Sequence, residues 1–105
     1  MKYVNHFALQ PGTQAEYRRR HDEIWPEMLV LITEAGLRNY SIWNFETHLI
    51  EYYECDDLDQ AHRILAASPV KARWDSYMSD LLIYNPDGSA TPLTMMFEWN
   101  GKELP

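Results

Sequence analysis

This 105-residue chain has little cysteine, with one residue, little glycine, with four, and few cations, with nine lysines and arginines against sixteen acidic residues. The lone Cys55 excludes an internal disulfide and any CxxC metal spacing, and one free thiol fits a reducing, cytoplasmic setting. The shortage of cations leaves a net charge of −7 with no basic patch to offset it. Neither nucleic acid nor an anionic membrane is therefore an expected partner. The opening MKYVNHFALQPG is too short and too polar for the core of a signal peptide, and no run approaches the ~20 apolar residues of a membrane span. Glycine-rich phosphate loops and nucleophile elbows are missing too. His6, His48 and His62 stand at no HxH or HExxH spacing with a carboxylate, so no metal site is expected.

What is present suits one soluble globular domain spanning residues 1–105, since no repeat, linker or low-complexity segment divides the chain. Aromatic residues make up 13%, seven of them tyrosine, which is rich for this length. Tyrosine and tryptophan join an apolar face to a polar tip, a combination useful at subunit interfaces and in sugar sites alike.

KYVNHFAL alternates Tyr3, Asn5, Phe7 and Leu9 with Val4, His6 and Ala8, a strand pattern stopped by Pro11 and Gly12. Thr13 and Glu16 form a capping-box pattern for a helix expected from about Gln14 to Ala35, stopped at Gly36 and kinked by Pro26. Arg18, Arg19 and Arg20 read as a solvated charged face of it. LRNYSIWN and THLIEYYEC read as two strands joined near Asn44 to Glu46. Asp56 or Asp57 caps a short helix running to about Ala67. Ser68 and Pro69 open another, with Val70, Trp74, Tyr77, Met78 and Leu81 as its apolar stripe. NPDGS ends that helix in a turn, and LTMMFEW reads as a last strand.

Strand, helix, two strands, helices, strand is the split βαβ order of a ferredoxin-like α+β sandwich. Both faces of these strands carry large apolar residues, more than one helical layer covers. Pairing two sheets face to face in a homodimer would bury the surplus.

Helical spacing puts Tyr17, His21 and Trp25 on one stripe, a turn apart. The stripe is either core, with a satisfied histidine, or an active face. Histidine is a poor filler of a dry stripe because its ring nitrogens need partners, and a proline beside it disturbs regular packing. His6 could share a strand face with this helix, while His48 and His62 read as surface or interface residues. A histidine among tyrosines and tryptophans suits acid–base work on a neutral, hydroxyl-rich ligand stacked on aromatic rings.

EYRRRHDEIWPEM resembles the signature region of the L-rhamnose mutarotase family, with its Tyr-x-x-x-His-x-x-x-Trp-Pro-Glu arrangement. The similarity continues through NYSIW, RWDSYMSDLL and NPDGS to the LP end, nearly the whole chain. It implies a dimeric ferredoxin-like α/β barrel, with His21 as proton donor and Tyr17 and Tyr40 holding sugar hydroxyls. The family's next binding pair is two consecutive tryptophans. The first matches Trp74, and the second is replaced by Asp75, a carboxylate that either accepts from sugar hydroxyls or faces solvent. EWNGKELP also runs longer than the family's usual end.

Mutarotation opens a pyranose and closes it on the other face of C1. It needs only proton transfers, so no cofactor is expected. Tyr17 could orient the His21 imidazole or bind a hydroxyl; Asp22 and Glu27 are each either a further orienter or a solvated carboxylate. An L-fucose or other 6-deoxy-sugar mutarotase, a ferredoxin-like monooxygenase or haem-handling protein, and a non-enzymatic dimeric binding module are the competing readings.

Overall fold

The computed structural model describes residues 1–102, so the terminal Leu104 and Pro105 of the LP match lie outside the described residues. Its elements run β1 (Lys2–Leu9), α1 (Gln14–Asp22), α2 (Pro26–Glu34), β2 (Arg38–Phe45), β3 (His48–Glu54), α3 (Leu58–Ala66), α4 (Pro69–Met78), β4 (Leu82–Ile83) and β5 (Thr91–Pro92). The strands pair antiparallel in the order β2-β3-β1-β4, with β5 also on β1. This is the expected ferredoxin-like α+β arrangement. Strand alternation sends Phe7, Leu9 and Leu49 inward, where they pack with Tyr17, Met28, Leu31, Trp74 and Met78 of the helices. Leu9, Leu49 and Met78 are almost wholly buried, each side chain contributing about 1.5–3 kcal/mol of burial. Ala35, Leu37, Tyr53, Cys55 and Ala61 form a second cluster. Asp57 and Ser68 cap α3 and α4 by accepting from the amides of Gln60 and Lys71.

The long kinked helix is instead two helices. Proline disfavours helical geometry at the residue before it, and Trp25 is extended at φ −63°, ψ 133°. Pro26 is thus the first residue of α2, where its missing amide costs nothing. The capping box does not form either. The Thr13 hydroxyl donates to the Gln10 carbonyl at 2.7 Å, and Glu16 is taken by Arg19 and Arg20. Nor is the arginine run uniformly solvated. The Arg20 side chain is 12% exposed, reaching Asp80 at 2.9 Å and the Tyr77 carbonyl at 2.6 Å, with its guanidinium 4.6 Å above the Tyr77 ring. It ties α1 to the end of α4.

LTMMFEW does not form the last strand. Pro92 cannot donate to the ladder, and beyond it, among the described residues, only the Leu93 amide donates to the backbone of β1, at Val4, 2.8 Å away. Lys2 and Glu98, 2.6 Å apart, keep the segment beside β1, but Met96 and Phe97 are 90% and 84% exposed. Among the described residues no layer covers them. The sheet face away from the helices is open too, with Trp43 and Phe45 about 70% exposed. His6 lies there rather than beside α1, because Phe7 is the residue that enters the core; its Nε2 is 2.8 Å from His48 Nδ1.

Candidate active site

Between the sheet and the helices lies a cleft of about 970 Å³, of the size that takes small ligands. Helix α1 supplies Tyr17 and His21, α4 supplies Trp74 and Asp75, and the sheet supplies Tyr40 and Glu51. All five residues singled out from the sequence therefore line one cavity.

Tyr17 and His21 stand one helical turn apart, and their rings stack with centroids 4.3 Å apart. His21 Nδ1 lies 3.1 Å from the Tyr17 carbonyl. A carbonyl only accepts, so Nδ1 carries the hydrogen and the neutral ring keeps its lone pair on Nε2. Burial pushes the His21 pKa below its ordinary value, against the opposing influences of the Tyr17 carbonyl bond and the Asp22 charge. At neutral pH the resting imidazole is uncharged. Glu27 is no orienter, since it faces Arg73 at 3.4 Å, whereas Asp22 acts on His21 through its charge and is paired with Arg18.

Trp74 is 7% exposed and meets His21 edge-on at 5.4 Å. Trp25 no longer shares a helix with His21, yet the extended link before Pro26 brings it edge-on to Trp74 at 5.1 Å and onto Tyr77 at 5.5 Å. Trp74 is core and cavity wall at once. Asp75, half exposed, is held by Lys71 at 2.6 Å, one turn earlier on α4. His62, expected at the surface or an interface, is exposed on α3 and borders the same cleft.

Tyr40 reaches the cleft through a local irregularity. Asn39 has a left-handed φ of 51°, and the β2–β3 register shifts between Arg38 and Ser41, the mark of a β-bulge. The Tyr40 ring then stacks on Tyr53 at 5.6 Å, and its hydroxyl donates to Glu51. Although 38% of Tyr40 is exposed, desolvation at its hydroxyl first, and the Glu51 charge second, push its pKa above the usual tyrosine value. Burial raises Tyr17 likewise and Tyr84 to about 12, so these phenols stay protonated as hydrogen-bond donors.

Two wall residues escaped the sequence reading. Tyr84, the residue that follows β4, stacks on Phe7 at 5.3 Å. Glu51 stands on the sheet floor, accepting from Asn5 at 3.2 Å and from Tyr40. The signal for Glu51 was present: in HLIEYYEC it has the same parity as the inward-facing Leu49 and Tyr53. Among the described residues no three histidine, cysteine, aspartate or glutamate side chains converge as a metal site requires, and no helix is long and apolar enough to cross a membrane.

The family model described as L-rhamnose mutarotase matches residues 2–99. An L-rhamnose mutarotase of Jannaschia sp. (strain CCS1) is 40% identical over 99 residues, covering 91% of this chain and 95% of the relative. One from Bacteroides thetaiotaomicron is 35% identical over 92 residues, with 85% and 88% covered. Among solved structures, an L-rhamnose mutarotase from Formosa agariphila superimposes with a TM-score of 0.81 at 26% identity, covering 94% of this chain and 98% of that one. Tetracenomycin F2 cyclase from Streptomyces glaucescens, at 18% identity and a TM-score of 0.62, shares the fold alone.

Proposed function

The chain belongs to the L-rhamnose mutarotase family, and from that premise we propose that it interconverts the α and β anomers of L-rhamnose, with His21 as the acid–base group. The observation that carries this is the fixed tautomer of His21 in a cleft walled by protonated tyrosines.

Nε2 of the neutral ring takes the proton of the C1 hydroxyl while the C1–O5 bond breaks and C1 becomes an aldehyde carbon. The departing O5 takes a proton from solvent along the tyrosine hydroxyls of the wall. After the aldehyde presents its other face, O5 adds back to C1, the imidazolium returns its proton to O1, and the O5 proton leaves to solvent. Each proton taken in opening is returned in closing. Tyr17 holds the imidazole and, with Tyr40, binds hydroxyls; Trp74 offers a ring to a CH face of the sugar, and Asp75 borders the cleft where a second ring would stand. No step calls for redox or carbanion chemistry.

Saturation transfer between the anomeric protons of L-rhamnose, at catalytic enzyme concentration, tests the activity. Exchange well above the spontaneous rate is expected; exchange at the spontaneous rate contradicts it.

The working unit in this reading is a homodimer in the cytoplasm, where the buried thiol of Cys55 stays reduced. Support comes from the open sheet face bearing Trp43 and Phe45 and from the uncovered Met96 and Phe97 of the tail. Light scattering at micromolar concentration should give twice the 12.4 kDa chain mass, and a stable monomer would contradict it.

A further inference from the structure

Glu51 has surroundings that packing alone does not account for. It faces inward from the middle of β3, between Leu49 and Tyr53, both buried. Among the described residues no lysine, arginine or histidine pairs with it. Glu51 is half-buried, and where its carboxyl group turns from water it needs donors instead. The protein supplies two: the Asn5 amide, directly across the β1–β3 ladder, to Oε1, and the Tyr40 hydroxyl to Oε2. A carboxylate has about four lone-pair sites, so each oxygen keeps roughly one to spare. Those sites open into the cleft that His21 lines from the helix side.

A half-satisfied, fixed carboxylate is built to accept from a ligand rich in hydroxyls. We propose that Glu51 is a specificity-determining residue of the site, its two oxygens held by Asn5 and Tyr40 while they accept hydrogen bonds from ring hydroxyls of the sugar. Tyr40 then has two tasks, contact with the sugar and positioning of Glu51. The charge of Glu51 also reaches Tyr17 and Tyr84 and favours their protonated, donating form. The inference rests on the sugar-binding reading of the cleft and extends it to the floor of the sheet.

The test pairs a protein change with a ligand change. Affinity for L-rhamnose and its 2-, 3- and 4-deoxy derivatives is read from the fluorescence of Trp25 and Trp74, which line or adjoin the cleft. A site that bonds a hydroxyl rejects the analogue lacking it, here by about ten- to a hundredfold for at least one position. In Glu51→Gln, L-rhamnose should bind about ten- to a hundredfold more weakly, and that penalty should shrink to about threefold or less. Glu51→Asp keeps the charge and withdraws it by one methylene, so it should reduce the penalty partway and serves if the glutamine variant does not fold. Penalties unchanged in the variants, or no penalty in the unaltered protein, overturn the proposal. Fluorescence needs no turnover. Binding without accelerated anomer exchange would therefore sink the mutarotase reading and leave Glu51 to be judged on the affinities. Accelerated exchange with unchanged penalties would sink only Glu51.

Discussion

The His21 ring is fixed twice by one residue, its Nδ1 bonded to the Tyr17 carbonyl at 3.1 Å and its face stacked on the Tyr17 ring at 4.3 Å. Tautomer and orientation are set together, leaving Nε2 as the working atom. Because the carbonyl belongs to the helical backbone, no side chain has to be recruited to orient the base.

The first prediction follows from the lowered pKa of His21. A neutral base is lost on protonation, so kcat/KM should hold level through neutral pH and fall on the acid side, with its midpoint below the ordinary histidine value near 6.5. The stability linkage has the same sign. Between the lowered folded pKa and the unfolded value, the unfolded chain binds more protons, so stability drops as pH falls through that window. Exchange NMR and thermal melts across pH 4–8, on the order of half-unit steps, check both. An activity that rises on acidification through that window would contradict the neutral-base assignment.

Trp74→Phe should cost both stability and binding, because the ring is core and wall at once. Loss of ring volume beside His21, Trp25 and Tyr77 should destabilise by about 1–2 kcal/mol. L-rhamnose affinity should fall with it. A lowered melting temperature with unaltered affinity would make Trp74 packing alone.

How much of this was legible in the sequence depends on how local each cause is. Ser68 followed by Pro69 and Asp57 before Leu58 are helix starts written in adjacent residues, and both caps form. Periodicity that runs on through Pro26 predicts a kink; the restriction proline places on Trp25 makes it a break. The position of Glu16 predicts a capping partner, but two arginines within a turn outcompete the Thr13 amide for it. LTMMFEW has a strand's alternation, yet alternation makes a strand only where another layer covers one side, and among the described residues none does. The histidine stripe could be found by spacing. The inward parity of Glu51 is as local, but its role is not, because that depends on Asn5, forty-six residues away and directly across the ladder.

Asp75→Trp should restore a ring beside Trp74 and change selectivity more than stability. The Lys71–Asp75 pair it removes is exposed and is worth no more than about 1 kcal/mol. The ratio of anomer-exchange rates for L-rhamnose and L-fucose should shift from that of the unaltered chain. Equal changes for both sugars would place Asp75 outside the discriminating contacts.

The central claim is that the α1 helix presents His21 Nε2 to the sugar as the acid–base group, and one variant meets it most directly. In His21→Ala the fold should persist, since Arg20 continues to tie α1 to α4 and circular dichroism can confirm it. The measurement is saturation transfer between the L-rhamnose anomers, with the spontaneous rate subtracted. The account predicts that the acceleration falls by about 10²–10⁴-fold, the usual contribution of a positioned general acid–base. A folded His21→Ala protein that kept the full acceleration would contradict it.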